Sequence, residues 1–126
     1  AVSINAESAR YRELHIRSHI PEDWPEPLRR SLTEWCADGA ALYHDSLIEL
    51  EPLLGRKRAK ESARFFLPYA NQTTMDVSFN FRSLMHFQKL RNDEHAQKEI
   101  REIAQKMLEL TRNTGAFPFS LEAFGY

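Results

Sequence analysis

The chain has 126 residues, enough for one compact domain with a core and too few for two ordinary ones, so a single domain over 1–126 is expected. Seventeen Lys and Arg stand against eighteen Asp and Glu, which leaves no global charge to draw a nucleic acid; any anion site must be local. A single cysteine, Cys36, excludes an intrachain disulfide, and no Cys/His cluster has zinc-site spacing. No apolar run nears the roughly 20 residues that cross a bilayer, and no basic-then-apolar leader opens the chain. A soluble protein of the reducing cytoplasm is expected, without metal, nucleic acid or membrane.

The first stretch, AVSINAESARY, reads as the interior of a longer sequence. Small and polar residues surround Arg10, and Ser3, Asn5 and Ser8 can form a turn whose amides and hydroxyls hold a phosphate; an ordinary surface turn is the alternative. From Tyr11 to Ile20, Leu14, Ile16 and Ile20 alternate with Arg12, His15, Arg17 and His19, which predicts a half-buried strand ended by Pro21. His15 and His19 are four apart, as a metal pair on a helix would be, but the strand-like setting supplies no third ligand.

PEDWPEP (21–27) is a loop, and Pro27 suits the first turn of a helix. Leu28, Leu32, Trp35, Gly39, Leu42, Tyr43, Leu47 and Leu50 recur mostly at spacings of three and four, which predicts an amphipathic helix from about Pro27 to Leu50 with that stripe in the core. Cys36 within it reads as a small buried thiol. Gly55 punctuates, and RKRAKESARFFL forms a second helix that Pro68 closes at or before Leu67. The basic group Arg56, Lys57, Arg58 and Lys60 reads as a solvated face, with a phosphate patch as the alternative.

Thr73 to Phe79 alternates Met75, Val77 and Phe79 with polar residues, a short-strand pattern, after which Asn80 can cap a helix. In FRSLMHFQKL, Leu84, Phe87 and Leu90 share one face while Arg82, His86 and Lys89 share another. Asn92 and Asp93 interrupt and can cap a further helix with an apolar stripe of Ala96, Ile100, Ile103, Met107 and Leu110, ended by Gly115. The aromatic tail, with Phe117, Phe119, Phe124 and Tyr126, is expected to fold back on the domain. The elements add up to an α+β fold, mostly helical, with about four helices and two or three short strands.

Chemistry concentrates in Asn80 to Gln97, where Arg82, His86 and Arg91 supply cations and Asn80, Asn92 and Gln97 supply hydrogen-bonding groups. Guanidinium groups hold phosphate or carboxylate bidentately and pair with the polar edge of a heterocycle, so a planar, anionic ligand would suit. Pairing with Glu94 or Glu99 is the plain alternative. No Ser/His/Asp order, paired carboxylates or glycine-rich phosphate loop stands out, and four glycines leave no dinucleotide fingerprint.

Ser3, Asn5, Ser8, Arg10 and Tyr11, then SARFFLP (62–68), then NFRSLMHFQKLRNDEHAQKEIREIA (80–104), resemble in register the flavin-dependent thymidylate synthases. The resemblance covers the first dozen residues and most of the chain beyond Gly55, whereas Trp24 to Leu54 fits only as a generic helix. It implies the thymidylate synthase-complementing protein fold, here partial, with a small antiparallel sheet. It also implies methylation of dUMP to dTMP with FAD as cofactor, and NADPH and methylenetetrahydrofolate as co-substrates. Ser8, Ala9, Arg10, Arg64 and Arg91 would then bind dUMP, and Arg91 would stabilise charge on the uracil ring. Asn80, Arg82 and His86 would line the flavin site, in a homotetramer whose active sites draw on several subunits.

Three departures weigh against a complete site in this chain alone. The family's Arg-His-Arg would fall before Ala1, its glutamate is replaced by Ala6 with Glu7 beside it, and the PEDWPEP loop is shorter than the family's usual connection. Two other readings stand beside the enzyme: a non-catalytic nucleotide- or flavin-binding homologue, and a helical oligomerisation protein.

Overall fold

The computed structural model describes residues 2–7 and 14–126. Its elements are strand β1 (Val2–Ala6), helices α1 (Glu26–Leu54) and α2 (Arg56–Ala63), a 3-10 turn (Arg64–Phe66), strand β2 (Met75–Phe79) and helices α3 (Phe81–Arg91), α4 (Lys98–Asn113) and α5 (Pro118–Ala123). This is the expected α+β fold, mostly helical, with a two-stranded antiparallel sheet of β1 and β2. None of its helices is long and apolar enough to cross a membrane, among the described residues. The chain divides into two compact units, one of Ala6–Met75 and one of Ala1–Asn5 with Asp76–Tyr126.

In the first unit, α1 starts with Pro27 in its opening turn, as its fixed φ favours. It runs one turn past the predicted end. Pro52 forfeits a single helical bond near the exposed Ile48, and the helix stops at Gly55, where φ is +78° and the amide donates to the Glu51 carbonyl at 3.0 Å. The predicted core stripe is only partly right. Cys36, Gly39 and Tyr43 are buried, whereas Leu28, Trp35 and Leu42, spaced seven apart, are 56%, 64% and 48% exposed. The small Cys36 and Gly39 decide the face, because they admit the following segment close to the helix: a Cβ on Gly39 would lie 2.6 Å from Pro68 Cδ.

Helix α2 buries Ala59, Lys60 and Ala63 and gives way at Arg64 to the 3-10 turn, which ends where Leu67 turns extended before Pro68. The predicted strand from Tyr11 to Ile20 is not formed as such: residues 11–13 lie outside the described part, and the remainder makes one antiparallel bridge, Ser18 with Asn71. Two backbone bonds flank it, from His19 N to Ala70 O at 2.9 Å and from Gln72 N to Arg17 O at 2.7 Å.

In the second unit, Met85, Leu108 and Leu121 form the core, with Phe81, Leu84 and Tyr126 packed against it. The aromatic tail folds back in part: Phe117 and Phe124 lie against the Phe81 ring at centroid distances of 5.4 and 6.0 Å and Tyr126 packs on the core, whereas Phe119, expected to fold back with them, is 83% exposed. Helix α4 starts later than the sequence suggests. Asn92 instead closes α3, and the Asp93 carboxylate accepts from the His95 amide at 2.9 Å, an Asx-turn that diverts the side chain expected to cap α4. Its buried residues are Ala104 and Leu108, while Ile103 and Leu110 of the predicted stripe are exposed. Helix α4 ends at Asn113, just before Gly115 with φ +64°.

Candidate functional site

Helix α3 carries most of the predicted site, and its sequence FRSLMHFQKLR contains three cations, one histidine and no carboxylate. Asn80 caps it: the side-chain oxygen accepts from the Ser83 amide at 2.8 Å, which satisfies one orphan donor of the first turn. The Asn80 oxygen is thereby committed to the fold, and its amide NH2 is the end left to face a ligand. Arg82 and His86 are four residues apart, hence on one face, and both are exposed. Arg91 ends the helix, where a cation is favoured by the partial negative charge of the terminal carbonyls, and it too is exposed.

None of these cations is paired with an acid among the described residues. Among the described residues no ion pair involves Arg64, Arg82 or Arg91. Glu94 lies 3.6 Å from His95 and its backbone carbonyl accepts from Arg101, while Glu99 accepts from Gln97. The plain alternative, in which Glu94 or Glu99 neutralises an α3 arginine, is therefore not the arrangement found. Uncompensated cations on an acid-free helix make a surface that attracts an anion.

In the other unit, Arg64 opens the 3-10 turn and is exposed. The turn is held from below by the approach of Phe66 and Pro68 to Gly39. Of the basic group before it, Arg58 lies 3.6 Å from Glu61 and Lys60 is buried, so it is not a uniformly solvated face. Ser8, Ala9 and Arg10, predicted to bind a nucleotide, lie outside the described residues. Ser3 and Asn5, expected in a phosphate-holding turn with Ser8, instead sit in β1, where an extended backbone spends its amides on the neighbouring strand. Ala6 ends that strand and is exposed.

The predicted side chains Arg64, Asn80, Arg82, His86 and Arg91 are all exposed. Two recesses, of about 340 and about 470 Å³, are lined by Asn92, Gln105, Leu108, Glu109, Arg112 and Asn113, and by Ile20, Glu26, Arg29, Arg30, Thr33 and Glu34. Neither includes Arg64, Asn80, Arg82, His86 or Arg91. No cluster of three or more His, Cys, Asp or Glu able to hold a metal occurs among the described residues.

Sequence reading missed Gln88. It is 1% exposed, its amide nitrogen donates to the Ala104 carbonyl of α4 at 2.8 Å, and its oxygen accepts from the Asn92 side chain at 3.4 Å. The signal was its spacing, seven residues beyond Phe81 and three beyond Met85, which puts it on the buried face where an apolar residue is the usual occupant.

Comparison with known proteins bears on this surface. Residues 1–116 match the family model described as thymidylate synthase complementing protein. A protein of Thermosipho melanesiensis named flavin-dependent thymidylate synthase is 33% identical over 134 residues, covering 97% of this chain and 58% of the relative. Proteins of the same name from Thermococcus kodakarensis and Mycobacterium tuberculosis are 44% identical over 94 residues and 38% over 89, covering 75% and 64% of this chain. The chain spans between 35% and 58% of the length of these relatives. The first alignment is longer than the chain itself, so that relative carries residues between its aligned segments that this chain lacks.

Proposed function

The chain belongs to the thymidylate synthase complementing protein family, and from that premise we propose that it is part of a flavin-dependent thymidylate synthase that methylates dUMP to dTMP. The observation that carries the reading is the acid-free α3, which presents Arg82, His86 and Arg91 without a carboxylate partner among the described residues, on a chain whose relatives are named for that activity.

The residues present fit a flavin dinucleotide. Arg82 and the Asn80 amide are donors suited to a pyrophosphate, and His86 is a further polar contact on the same exposed face. When bound, reduced FAD supplies hydride for the reaction. NADPH as reductant and methylenetetrahydrofolate as carbon donor complete the proposal.

Arg91 is the residue proposed to act on the pyrimidine. Neutral uracil is a poor reactant at carbon, and negative charge must develop towards its carbonyl oxygens as the ring is activated. A guanidinium held against those oxygens, away from bulk water, stabilises that charge more than it stabilises the neutral ring. It needs no cysteine nucleophile, which agrees with Cys36 being buried and free. Ser8, Ala9, Arg10 and Arg64 are proposed to hold the rest of dUMP, its phosphate above all.

The exposure of Arg64, Asn80, Arg82, His86 and Arg91, on a chain that spans 35% to 58% of its relatives' length, supports a site completed by other parts of the assembly, and a homotetramer with shared active sites is the arrangement proposed. A cytoplasmic enzyme accords with the free thiol and with the nucleotide substrate. The test uses the full-length protein. It should be yellow, bind dUMP, form dTMP with NADPH and methylenetetrahydrofolate, and lose roughly 100-fold or more of that turnover on Arg91→Ala. A full-length protein that binds neither FAD nor dUMP overturns the reading.

A further inference from the structure

We infer that Gln88 is a positioning residue for Arg91, setting the rotation of the last turn of α3 through hydrogen bonds to α4 and to Asn92. The inference rests on the proposed role of Arg91. It begins from a residue type that burial alone does not explain. An amide removed from water is costly unless both of its ends find partners, and once they do the net gain is small, so an apolar side chain of similar size would serve packing as well. What the amide adds is direction. Apolar contact is non-directional and lets a helix roll on its neighbour, whereas a hydrogen bond weakens steeply as it bends.

Both ends of Gln88 are engaged at the place where roll matters. Its nitrogen donates to Ala104 O, a mid-helix carbonyl of α4, at 2.8 Å. Its oxygen accepts from Asn92 Nδ2 at 3.4 Å, and its backbone carbonyl accepts from Asn92 N at 2.8 Å. Asn92 closes α3 and directly follows Arg91, so α4, Gln88 and the residue after the arginine form a continuous polar tie. Arg91 itself is exposed and has no acidic partner among the described residues to orient it, which leaves the backbone at the end of α3 as what aims its guanidinium. A reactive group displaced by about 1 Å can lose on the order of 100-fold in rate, so a slight roll of this turn is enough to register.

The experiment measures dUMP binding and kcat/KM of the full-length protein in a double-mutant cycle of Gln88→Met with Arg91→Lys. Methionine keeps the length and volume while removing both side-chain bonds, and lysine keeps a cation that holds binding measurable. Gln88→Met is expected to lower kcat/KM roughly tenfold in the parent and to have little further effect beside Arg91→Lys, because the two changes disable one device. A merely structural Gln88 would lower both backgrounds alike, and that result, or no loss in either, overturns the inference while leaving the proposed function standing. Arg91→Lys with parental kcat/KM and dUMP affinity would sink the role of Arg91 itself, and the inference with it. If Gln88→Met fails to fold, Asn92→Ala carries the same cycle from a half-buried helix end: a loss that disappears beside Arg91→Lys supports the tie, and an Arg91-independent loss or no loss refutes it.

Discussion

Gly39 and Pro68 approach so closely that a methyl group on the Gly39 Cα would stand 2.6 Å from Pro68 Cδ and 2.8 Å from the Phe66 carbonyl oxygen. The contact seats the 3-10 turn that begins at Arg64 against α1, and two opposing effects meet there. Alanine is the better helix former by about 1 kcal/mol, which would stabilise α1. Against that, overpacking into backbone and a rigid proline ring costs about 1–3 kcal/mol, because neither neighbour is the free end of a flexible side chain. Gly39→Ala is therefore expected to lower the thermal midpoint, and to weaken dUMP binding in the full-length protein by shifting Arg64. A midpoint that rises would mean the turn yields without strain.

Tyr43 is fully buried, and its hydroxyl oxygen accepts from the Leu14 amide at 3.1 Å, tying the segment after Glu13 to the middle of α1. Tyr43→Phe keeps the ring and strands a half-buried N–H, at a cost of about 1–2 kcal/mol. Hydrogen exchange at the Leu14 amide should accelerate more than at the helical amides of α1 beside it. Unchanged exchange at Leu14 would show that this bond does not hold the segment.

Asn80 has two separable jobs, cap and proposed flavin contact, on two different atoms. Serine at this position supplies a capping oxygen but no amide, so Asn80→Ser should keep stability within about 0.5 kcal/mol while weakening FAD binding. Asn80→Ala removes both and should also lose about 1 kcal/mol of stability. The comparison is read from denaturant midpoints and from FAD retained per chain after gel filtration. Equal FAD retention in the parent and both variants would leave Asn80 as a cap alone.

The cap at Asn80, the stops at Pro68 and Gly115 and the turn around Pro21 to Pro25 were legible because each depends on the few residues that form it. Which face of a helix is buried depends on what lies opposite. On α1 the periodicity points to a stripe that includes Gly39 and Tyr43, which are buried, but also Leu28, Trp35 and Leu42, which are exposed; the buried face is centred on Cys36, Gly39 and Tyr43, since small residues let another segment come near. Helix α4 begins later than its pattern predicts for a related reason: Asp93 satisfies the His95 amide locally before the helix begins. The cationic face of α3 was readable from spacing alone, and its freedom from acids was not, because the positions of Glu94 and Glu99 depend on the turn between the helices. Gln88 is not legible in the sequence, because a polar residue on an apolar face gains meaning only from its partners on α4 and at Asn92.

The tail offers a comparison internal to one helix. In α5, Leu121 is 7% exposed and belongs to the core with Met85 and Leu108, while Phe119, two residues earlier, is 83% exposed. By size and hydrophobicity phenylalanine should matter more, but the free energy follows burial and not residue type. Leu121→Ala removes buried methyl groups and leaves a cavity in the core it shares with Met85 and Leu108, at a cost of about 2–5 kcal/mol. Phe119→Ala removes a larger side chain already in water and should change stability by no more than about 0.5 kcal/mol. Parallel urea titrations decide between them. A Phe119→Ala loss as large as that of Leu121→Ala would mean the exposed ring is covered in the assembled protein, and repeating the titration at several protein concentrations would identify that case, since stability gained by association rises with concentration.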